Sequence, residues 1–210
     1  NLGSEGVLGA GGQPINERYL ATAELLAAIH RHEWSPHIDV APGIGHTIPS
    51  FDRDALSIES ELLVDWYLPH IAGRPATGAE RAAFSQAWGA VFDTLDRCEK
   101  SILLRDVHSP NIIWREDRSG SDRIGLIDFQ DAMIGPSAYD VASLAMDARV
   151  TIPAELERAI VEAYVAARQA QGGFDRQAFE AAYAITAAQR NTKILGIFVR
   201  LDVRDGKPGY

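Results

Sequence analysis

The side chains best suited to chemistry stand where two short apolar runs end. Asp106 follows the apolar residues 103–104 after one intervening residue, Arg105, and Asp128 directly follows the apolar residues 126–127. A buried strand that ends in a carboxylate fixes the position of that carboxylate by packing, while the charge stays within reach of solvent or of a cation. Asp106 and Asp128 are therefore candidates for chemistry at the rim of a folded core.

Asn111, five residues after Asp106, adds an amide oxygen just before the next apolar run. Phosphoryl transfer to a hydroxyl needs one carboxylate that accepts or orients the hydroxyl proton, and further oxygen atoms that hold Mg²⁺. Asp106 suits the first, catalytic role, and Asn111 together with Asp128 suits the second. The residue types and their spacing therefore favour phosphoryl transfer with Mg²⁺ as cofactor.

Three neighbouring side chains could have either a structural or a chemical role. Asp131 is either a second metal contact or the N-cap of the following turn. Asp140 stands between Tyr139 and an apolar run, which favours a buried hydrogen-bond acceptor that braces the catalytic loop. For His108, support of the same loop is favoured over a role as a base.

Two other functions use the same residues. A metal-dependent hydrolase would hold its metal with Asp106, His108, Asp128 and Asp131, but the sequence has no second ligating His pair near them. A kinase remnant without activity would bind a sugar or a partner protein. The joint presence of Asp106, Asn111 and Asp128 argues against such a loss of activity.

The elements that must position these residues are mostly helices around one small sheet. A capping box from Thr77 to Glu80 is expected to begin one helix, and Pro69 is expected to end the helix before it. Residues 33–50, rich in proline and histidine, are expected to form an irregular surface stretch. The predicted fold class is α+β and mainly helical. Helices are predicted over 16–32, 52–68, 77–98, 138–148, 154–170 and 175–190, the last with a weak continuation to 201. Short β-like runs are predicted over 102–104, 112–114 and 124–127, and the last two of these are expected to form a hairpin.

Composition restricts the class of protein further. The 210 residues are 46% hydrophobic, which suffices for one large domain with its own core. A formal net charge of −9 has the wrong sign for a nucleic-acid partner. No apolar run reaches the length of a membrane span, and the single cysteine, Cys98, favours a reducing cytoplasmic compartment over a disulfide framework. The expected partner is therefore a small-molecule substrate, without nucleic acid or membrane.

The segments LLRDVHSPNIIW (103–114) and LIDFQDA (126–132) resemble the aminoglycoside phosphotransferase/choline kinase superfamily, which has a protein-kinase-like fold. Asp106, His108 and Asn111 match the spacing of its catalytic loop, His-Gly-Asp-x-His-x-x-Asn, and Asp128 matches its metal-binding aspartate. Leu104 and Arg105 stand where that loop has His-Gly. The resemblance implies the C-terminal lobe of a kinase-like fold, ATP as phosphoryl donor and Mg²⁺.

Two further segments, SELLVDWYLP (60–69) and QRNTKILGIF (189–198), resemble bacterial kinases of the N-acetylmuramate/N-acetylglucosamine anomeric type. That resemblance implies phosphorylation of an N-acetylated amino sugar at a hydroxyl, in cell wall recycling. Some proteins of this type are fused behind an ATPase subunit of the tRNA threonylcarbamoyladenosine machinery. Contact with or fusion to an upstream ATPase domain is therefore an expectation.

A sugar substrate directs attention to acids and aromatic rings on the second helix. Their carboxylates suit sugar hydroxyls and their rings suit sugar faces, although exposed helix acids are often only solvated. A carboxylated sugar would also need a local basic site in this acidic chain. The candidate substrate-binding residues are Glu59, Glu61, Asp65, Trp66 and Tyr67, with Arg105, Arg190 and Arg200 as candidates for a carboxylate.

Lysine is scarce, and this bears on the nucleotide. A kinase of this superfamily has an N-terminal β-rich lobe whose lysine neutralises the nucleotide phosphates. Lys100, Lys193 and Lys207 do not stand in such a lobe, and the first 99 residues contain no lysine. Residues 1–14 are therefore expected to be the tail of a hinge and residues 15–205 the substrate- and metal-binding lobe. The nucleotide lobe is expected to lie outside the chain, so the 210 residues alone are expected to fold without turning over substrate.

Overall fold

The computed structural model describes residues 6–170 and 172–209, and most of them are helical. The mainly helical α+β class expected from the sequence is confirmed. The helices are α1 (Asn16–Arg31), α2 (Arg53–Leu62), α3 (Leu68–Ala72), α4 (Gly78–Leu95), α5 (Ala138–Ala145), α6 (Ala154–Gln169) and α7 (Arg176–Val203), with a π-helical turn (Leu63–Tyr67) that joins α2 to α3.

The strands form three antiparallel pairs. β1 (His37–Ala41) pairs with β2 (Ile44–Thr47), β3 (Lys100–Leu103) pairs with β6 (Met133–Pro136), and β4 (Ile112–Trp114) pairs with β5 (Ile124–Leu126). The β4–β5 hairpin is the one predicted from the sequence. The β3–β6 pair holds the start of the 104–111 loop next to the segment that leads into α5.

The second predicted helix does not end at Pro69. Asp52 caps α2 by accepting hydrogen bonds from two backbone N–H groups, but the helical path continues through the π-helical turn and α3 to Ala72. Proline lacks a backbone N–H, and it is tolerated here because it stands in the first turn of α3, directly after the change in hydrogen-bond register. The path ends at Gly73, which has a φ of 66° and terminates the helix in the left-handed region.

Two strand segments differ from the sequence prediction. Residues 33–50, expected to be irregular, contain the β1–β2 hairpin, and Gly43 has the positive φ of 74° that its tight turn requires. Every residue of these two strands is exposed. The alternation of polar and apolar residues over 37–40 is only four residues long and lies in a proline-rich stretch, which is too short a signal to predict a strand. Strand β6 was not predicted, because its four residues, Met-Ile-Gly-Pro, carry no period and include two residues that disfavour strands.

α5 is the centre of the molecule. All eight of its residues are buried, and it packs against α1, α6 and α7. A helix that is covered on all sides is apolar around its whole circumference, which is the composition of AYDVASLA apart from Asp140 and Ser143. The core around α5 includes Tyr19 of α1 and Tyr164 of α6, both without exposed surface. α5 therefore offers a rigid base for the loops that lie at its end.

α7 is the longest helix, with 28 residues, and it packs along α2, the π-helical turn and α5. Gly196 permits the close approach, because a Cβ atom there would lie 2.2 Å from the backbone of Leu62. No helix in the described ranges, α7 included, has the length and apolar character needed to cross a membrane.

The predicted hinge segment 1–14 is only partly described. Residues 1–5 lie outside the described residues. Residues 6–14 form a tight loop that is closed by the hydrogen bond from Ile15 N to Val7 O, at 2.9 Å, and Val7 is fully buried. Arg18 of α1 donates to Gly6 O at 3.0 Å and fixes the start of this loop.

Candidate active site

The loop over 104–111 joins β3 to β4 and carries the predicted catalytic residues. Arg105 has a φ of 69° and Asp128, on the neighbouring loop, a φ of 64°, both in the left-handed region. Arg105 stands where the resembled loop has glycine, the residue that adopts this conformation without steric cost. A side chain with a Cβ atom is strained there by roughly 1–2 kcal/mol, so other contacts must hold the loop in place.

Asp140 supplies the first of these contacts. Its carboxylate has no exposed surface and accepts hydrogen bonds from Leu104 N at 2.7 Å and from Arg105 N at 2.9 Å. His30 Nε2 lies 3.4 Å from the same carboxylate, and His30 Nδ1 lies 3.0 Å from the hydroxyl of Tyr164. The start of the loop is thus tied to α5 and, through His30, to α1 and α6.

Asp147 holds the other end of the loop and was missed in the sequence. Its carboxylate is 4% exposed and accepts hydrogen bonds from Ser109 N at 2.7 Å and from Tyr19 Oη at 3.2 Å. Asp147 lies two residues beyond the end of α5, after the non-helical Met146, so no helical spacing relates it to Asp140 and no local pattern marked it. The two buried carboxylates hold the two ends of one loop.

The loop brings Asp106, Asn111 and Asp128 together. Asn111 Nδ2 donates to Asp106 O at 2.9 Å and to Asp128 Oδ2 at 3.3 Å, while Gln130 Nε2 donates to Asp128 Oδ1 at 2.7 Å. Asn111 is buried, whereas Asp106 and Asp128 are exposed at the rim. Because the Asn111 amide nitrogen makes both contacts, its carbonyl oxygen is left as an acceptor beside the Asp128 carboxylate.

This donor set fits Mg²⁺. Mg²⁺ usually keeps several waters and takes one or two protein carboxylates together with substrate phosphates, so an aspartate and an amide oxygen are a sufficient protein contribution. Asp131 is exposed and makes no hydrogen bond or ion pair within the described ranges, and it caps no turn there. Over residues 6–170 and 172–209, no three His, Cys, Asp or Glu side chains are grouped to hold one metal ion. The structure therefore does not assemble the ligand set of the hydrolase alternative.

A cavity of about 250 Å³ lies beside Asp106, between the 104–111 loop and α7. Neither Asn111 nor Asp128 lines it, so the predicted metal pair and the cavity adjoin Asp106 on different sides. One face of α7 forms its wall, because the contributing positions recur every three or four residues. The lining residues are Asp106, His108, Tyr139, Ala148, Arg149, Arg190, Lys193, Ile194, Ile197, Phe198 and Leu201.

His108 reaches this cavity from the loop. Burial lowers the pKa of its imidazole, and the nearby carboxylates of Asp147 and Asp106 only partly oppose that effect. Its Nδ1 atom is buried and has no hydrogen-bond partner among the described residues. The imidazole is therefore uncharged at neutral pH.

Glu59 of α2 is the centre of a buried polar cluster beneath the loop. Its carboxylate accepts hydrogen bonds from Arg105 Nη2 and Lys193 Nζ, both at 2.6 Å, and from Tyr139 Oη at 3.2 Å and Gln189 Nε2 at 3.3 Å. Burial raises the pKa of Glu59, but the charges and hydrogen bonds of Lys193 and Arg105 outweigh it, so the pKa lies below its ordinary value. One carboxylate thus anchors the strained Arg105 and connects the loop to α7.

Replacing Glu59 with glutamine is expected to destabilise the fold by about 3 kcal/mol, because it leaves Arg105 and Lys193 without their shared carboxylate. The pKa is lowered on folding, so this contribution is complete above the ordinary value of 4.5 and is lost as the pH falls below it. Urea unfolding of both proteins at pH 7 and at pH 3 measures the difference, which should shrink at the lower pH. Glu61→Gln is the matched control, since Glu61 is in the same helix and makes no ion pair within the described ranges. Equal stability of Glu59→Gln and the parent at pH 7 would contradict the assignment.

The candidate sugar-binding residues of the second helix lie elsewhere. None of the candidates Glu59, Glu61, Asp65, Trp66 and Tyr67 lines the cavity beside Asp106, and Glu59 lies in the buried cluster described above. Asp65 instead forms an ion pair with Arg81 of α4 at 2.5 Å. Val64, the residue before it, is buried. The three arginines proposed to bind a substrate carboxylate also differ in position. Arg190 lines the cavity, Arg105 is paired with Glu59, and Arg200 lies outside the lining. Lys193, excluded as a nucleotide lysine, lies in the cavity wall.

Residues 7–181 match the family model described as the phosphotransferase enzyme family, and the chain belongs to that family. Two solved structures share the fold. The GDP complex of wild-type aminoglycoside 2′-phosphotransferase-IIIa has a TM-score of 0.54 and 16% identity, with coverage of 97% of this chain and 62% of that one. Ethanolamine kinase from Plasmodium vivax has a TM-score of 0.56 and 16% identity, with coverage of 97% and 57%. The predicted kinase-like lobe is confirmed.

Among proteins of known activity, the chain is similar to the N-acetylmuramate/N-acetylglucosamine kinase of Caulobacter vibrioides. The two are 36% identical over 194 residues, which cover 91% of this chain and 52% of that kinase. The chain spans about half the length of the curated relatives it matches. The predicted resemblance to this type of kinase is confirmed.

Proposed function

We propose that the chain is the substrate- and metal-binding part of an ATP-dependent kinase that phosphorylates an N-acetylated amino sugar at a hydroxyl. The observation that carries the proposal is the position of Asp106, which lines the cavity on one side and adjoins the Asn111–Asp128 pair on the other. A hydroxyl bound in the cavity would face the phosphate held at the metal pair. The similarity to the Caulobacter vibrioides kinase supports the sugar as acceptor.

In the proposed reaction the Asp106 carboxylate accepts or orients the proton of the sugar hydroxyl, so that the hydroxyl oxygen bonds to the terminal phosphorus of ATP as the bond to the ADP oxygen breaks. Asp106 makes no side-chain hydrogen bond within the described residues, so its carboxylate is open to the acceptor. Asn111 and Asp128 would hold Mg²⁺, which neutralises charge on the transferred phosphate when it is bound. Asp140 and Asp147 keep the loop backbone in place during this step.

The domain arrangement belongs to the same proposal. We propose that residues 15–205 form the acceptor lobe and that sequence outside these 210 residues supplies the lobe over the nucleotide, as the coverage of about half of each relative supports. A cytoplasmic location, where ATP is present, and contact with or fusion to an upstream ATPase domain remain predictions that no described contact tests.

The test of the proposal is a screen of acceptors with ATP and Mg²⁺, using the protein as its gene encodes it. N-acetylglucosamine and N-acetylmuramate are both expected to give a sugar phosphate, detected by phosphorus NMR, because each offers a hydroxyl to Asp106. Choline and an aminoglycoside serve as the contrasting acceptors, since solved structures with this fold include a choline/ethanolamine kinase family protein and an aminoglycoside phosphotransferase. Turnover of choline or the aminoglycoside without turnover of either sugar would overturn the proposed substrate class.

A further inference from the structure

Arg190 is a buried cation without a carboxylate partner. It is 6% exposed, and its hydrogen bond within the described residues is a long one, from Nη1 to Met146 O at 3.5 Å. No carboxylate among residues 6–170 and 172–209 lies within 4.0 Å of its guanidinium. Burial of an unpaired charge is costly, and proteins normally offset it with a partner. The partner of Arg190 is therefore to be sought in the cavity that it lines.

Two other buried or half-buried cations, Arg168 and Lys193, are paired with carboxylates. Arg168, the other strongly buried arginine of the described residues, is paired with Glu99. Lys193 is in the same cavity wall as Arg190, but its ammonium is bound to Glu59 at 2.6 Å and to the Tyr139 hydroxyl at 3.2 Å. Arg190 therefore differs from these residues in having its charge uncompensated at the cavity surface.

The location of Arg190 indicates which ligand would supply the anionic group that pairs with its guanidinium. The cavity holds Asp106 but neither Asn111 nor Asp128, so a group that meets Arg190 enters from the acceptor side and not with the metal-bound phosphates. Lys193 is the next position of α7 in the wall, but its ammonium is bound to Glu59, and Arg149 lines the cavity as well. The positions of α7 beyond Lys193, namely Ile194, Ile197 and Phe198, are apolar, so Arg190 adjoins an apolar stretch of the helix in the cavity that also holds Asp106.

We infer that Arg190 binds a carboxylate of the acceptor and sets the preference of this site for carboxylated over neutral amino sugars. The inference rests on the proposed function. The guanidinium fork matches a carboxylate in a bidentate arrangement, whereas a neutral sugar offers it only single hydroxyl acceptors. N-acetylmuramate and N-acetylglucosamine differ in one group, the lactyl ether with its carboxylate, so this pair of sugars isolates the contribution of Arg190.

The experiment is a calorimetric titration of the protein as its gene encodes it with each sugar, without ATP, for the parent, Arg190→Met, Arg190→Lys and Arg200→Met. Arg190→Met is expected to weaken binding of N-acetylmuramate by about 10- to 100-fold, the size of a lost charge-assisted hydrogen bond, and to leave N-acetylglucosamine within about twofold. Arg190→Lys should recover part of the loss, because it keeps the charge and loses the fork. Arg200→Met, on the same helix but outside the lining, should bind both sugars like the parent.

Folding is checked by the thermal midpoint of each variant. Arg190→Met is expected to be at least as stable as the parent, because it removes a buried charge that has no partner. Equal weakening of both sugars, or an unchanged preference for N-acetylmuramate in Arg190→Met, would overturn the inference. Its failure is separable from failure of the proposed function, because the latter is read from sugar phosphate formation and the former from binding without ATP.

Discussion

Replacing Asp106 with asparagine is expected to lower kcat for sugar phosphorylation by about 10²–10⁴, the usual contribution of a positioned acid or base. The amide has nearly the same shape, so the loop and the cavity should persist, but it does not take up the hydroxyl proton as a carboxylate does. The backbone of Asp106 is held by its hydrogen bonds with Leu104, His108 and Asn111, none of which uses the side chain. Binding of the sugar should therefore change little.

The measurement is steady-state kinetics of N-acetylglucosamine phosphorylation by the protein as its gene encodes it, with binding of the sugar measured separately. A loss confined to kcat indicates an interaction made only in the transition state. Asp122→Asn is the control, because Asp122 is an exposed aspartate in the 120–123 turn and does not line the cavity. An Asp106→Asn variant that kept more than about half of the parent kcat would refute the catalytic assignment.

The residues of the candidate site were predictable from sequence because their positions follow from local structure. A short apolar run that ends in an aspartate is visible in the sequence, and the positions of Asp106 and Asp128 after β3 and β5 follow from it. Asn111 is fixed relative to Asp106 by the five-residue spacing, and the structure joins them by a hydrogen bond of 2.9 Å. Local spacing is set by chain geometry, which the sequence contains in full.

The supporting contacts were less predictable because they join distant parts of the chain. Glu59 contacts Lys193, which is 134 positions away in the sequence, and Arg105, which is 46 positions away. No local sequence pattern indicates either contact. Lys193 was excluded for a nucleotide role because of its place in the final helix, but the packing of α7 against α2 and α5 brings it into the cavity wall. Aromatic and acidic residues of the second helix had suitable chemistry, but packing directs them away from the cavity.

The left-handed conformation of Arg105 shows how local backbone structure and long-range contacts combine. Arg105 stands where the resembled loop has glycine, and the structure shows how the loop accommodates the larger residue. The backbone keeps the conformation that glycine favours, with a φ of 69°, while the added side chain gains an ion pair with Glu59. Asp140 holds the two backbone N–H groups at the same point. Three separate contacts thus offset the strain of one residue.

Replacing Asp128 with alanine is expected to weaken Mg²⁺-dependent nucleotide binding and activity together. Loss of groups that only orient a metal ligand costs about 10- to 100-fold in affinity or activity, and loss of the ligand itself should cost at least as much. The apparent Mg²⁺ concentration for half-maximal activity should rise by that factor, and excess Mg²⁺ or Mn²⁺ should restore part of the rate. Sugar binding without ATP should not change, because Asp128 does not line the cavity.

Asp131→Ala is the informative companion, because Asp131 is in the same loop and its role as a second metal contact is open. A rise in its Mg²⁺ requirement comparable to that of Asp128→Ala would make Asp131 a metal ligand, and an unchanged requirement would leave it a surface residue.

Gln130→Ala separates ligation from orientation, because Gln130 holds Asp128 Oδ1 at 2.7 Å without adding a charge. It should shift the Mg²⁺ requirement less than Asp128→Ala does. An unchanged Mg²⁺ requirement in Asp128→Ala would show that the metal is held by other groups, and the assignment of Asn111 and Asp128 would then be wrong even if Asp106 proved catalytic.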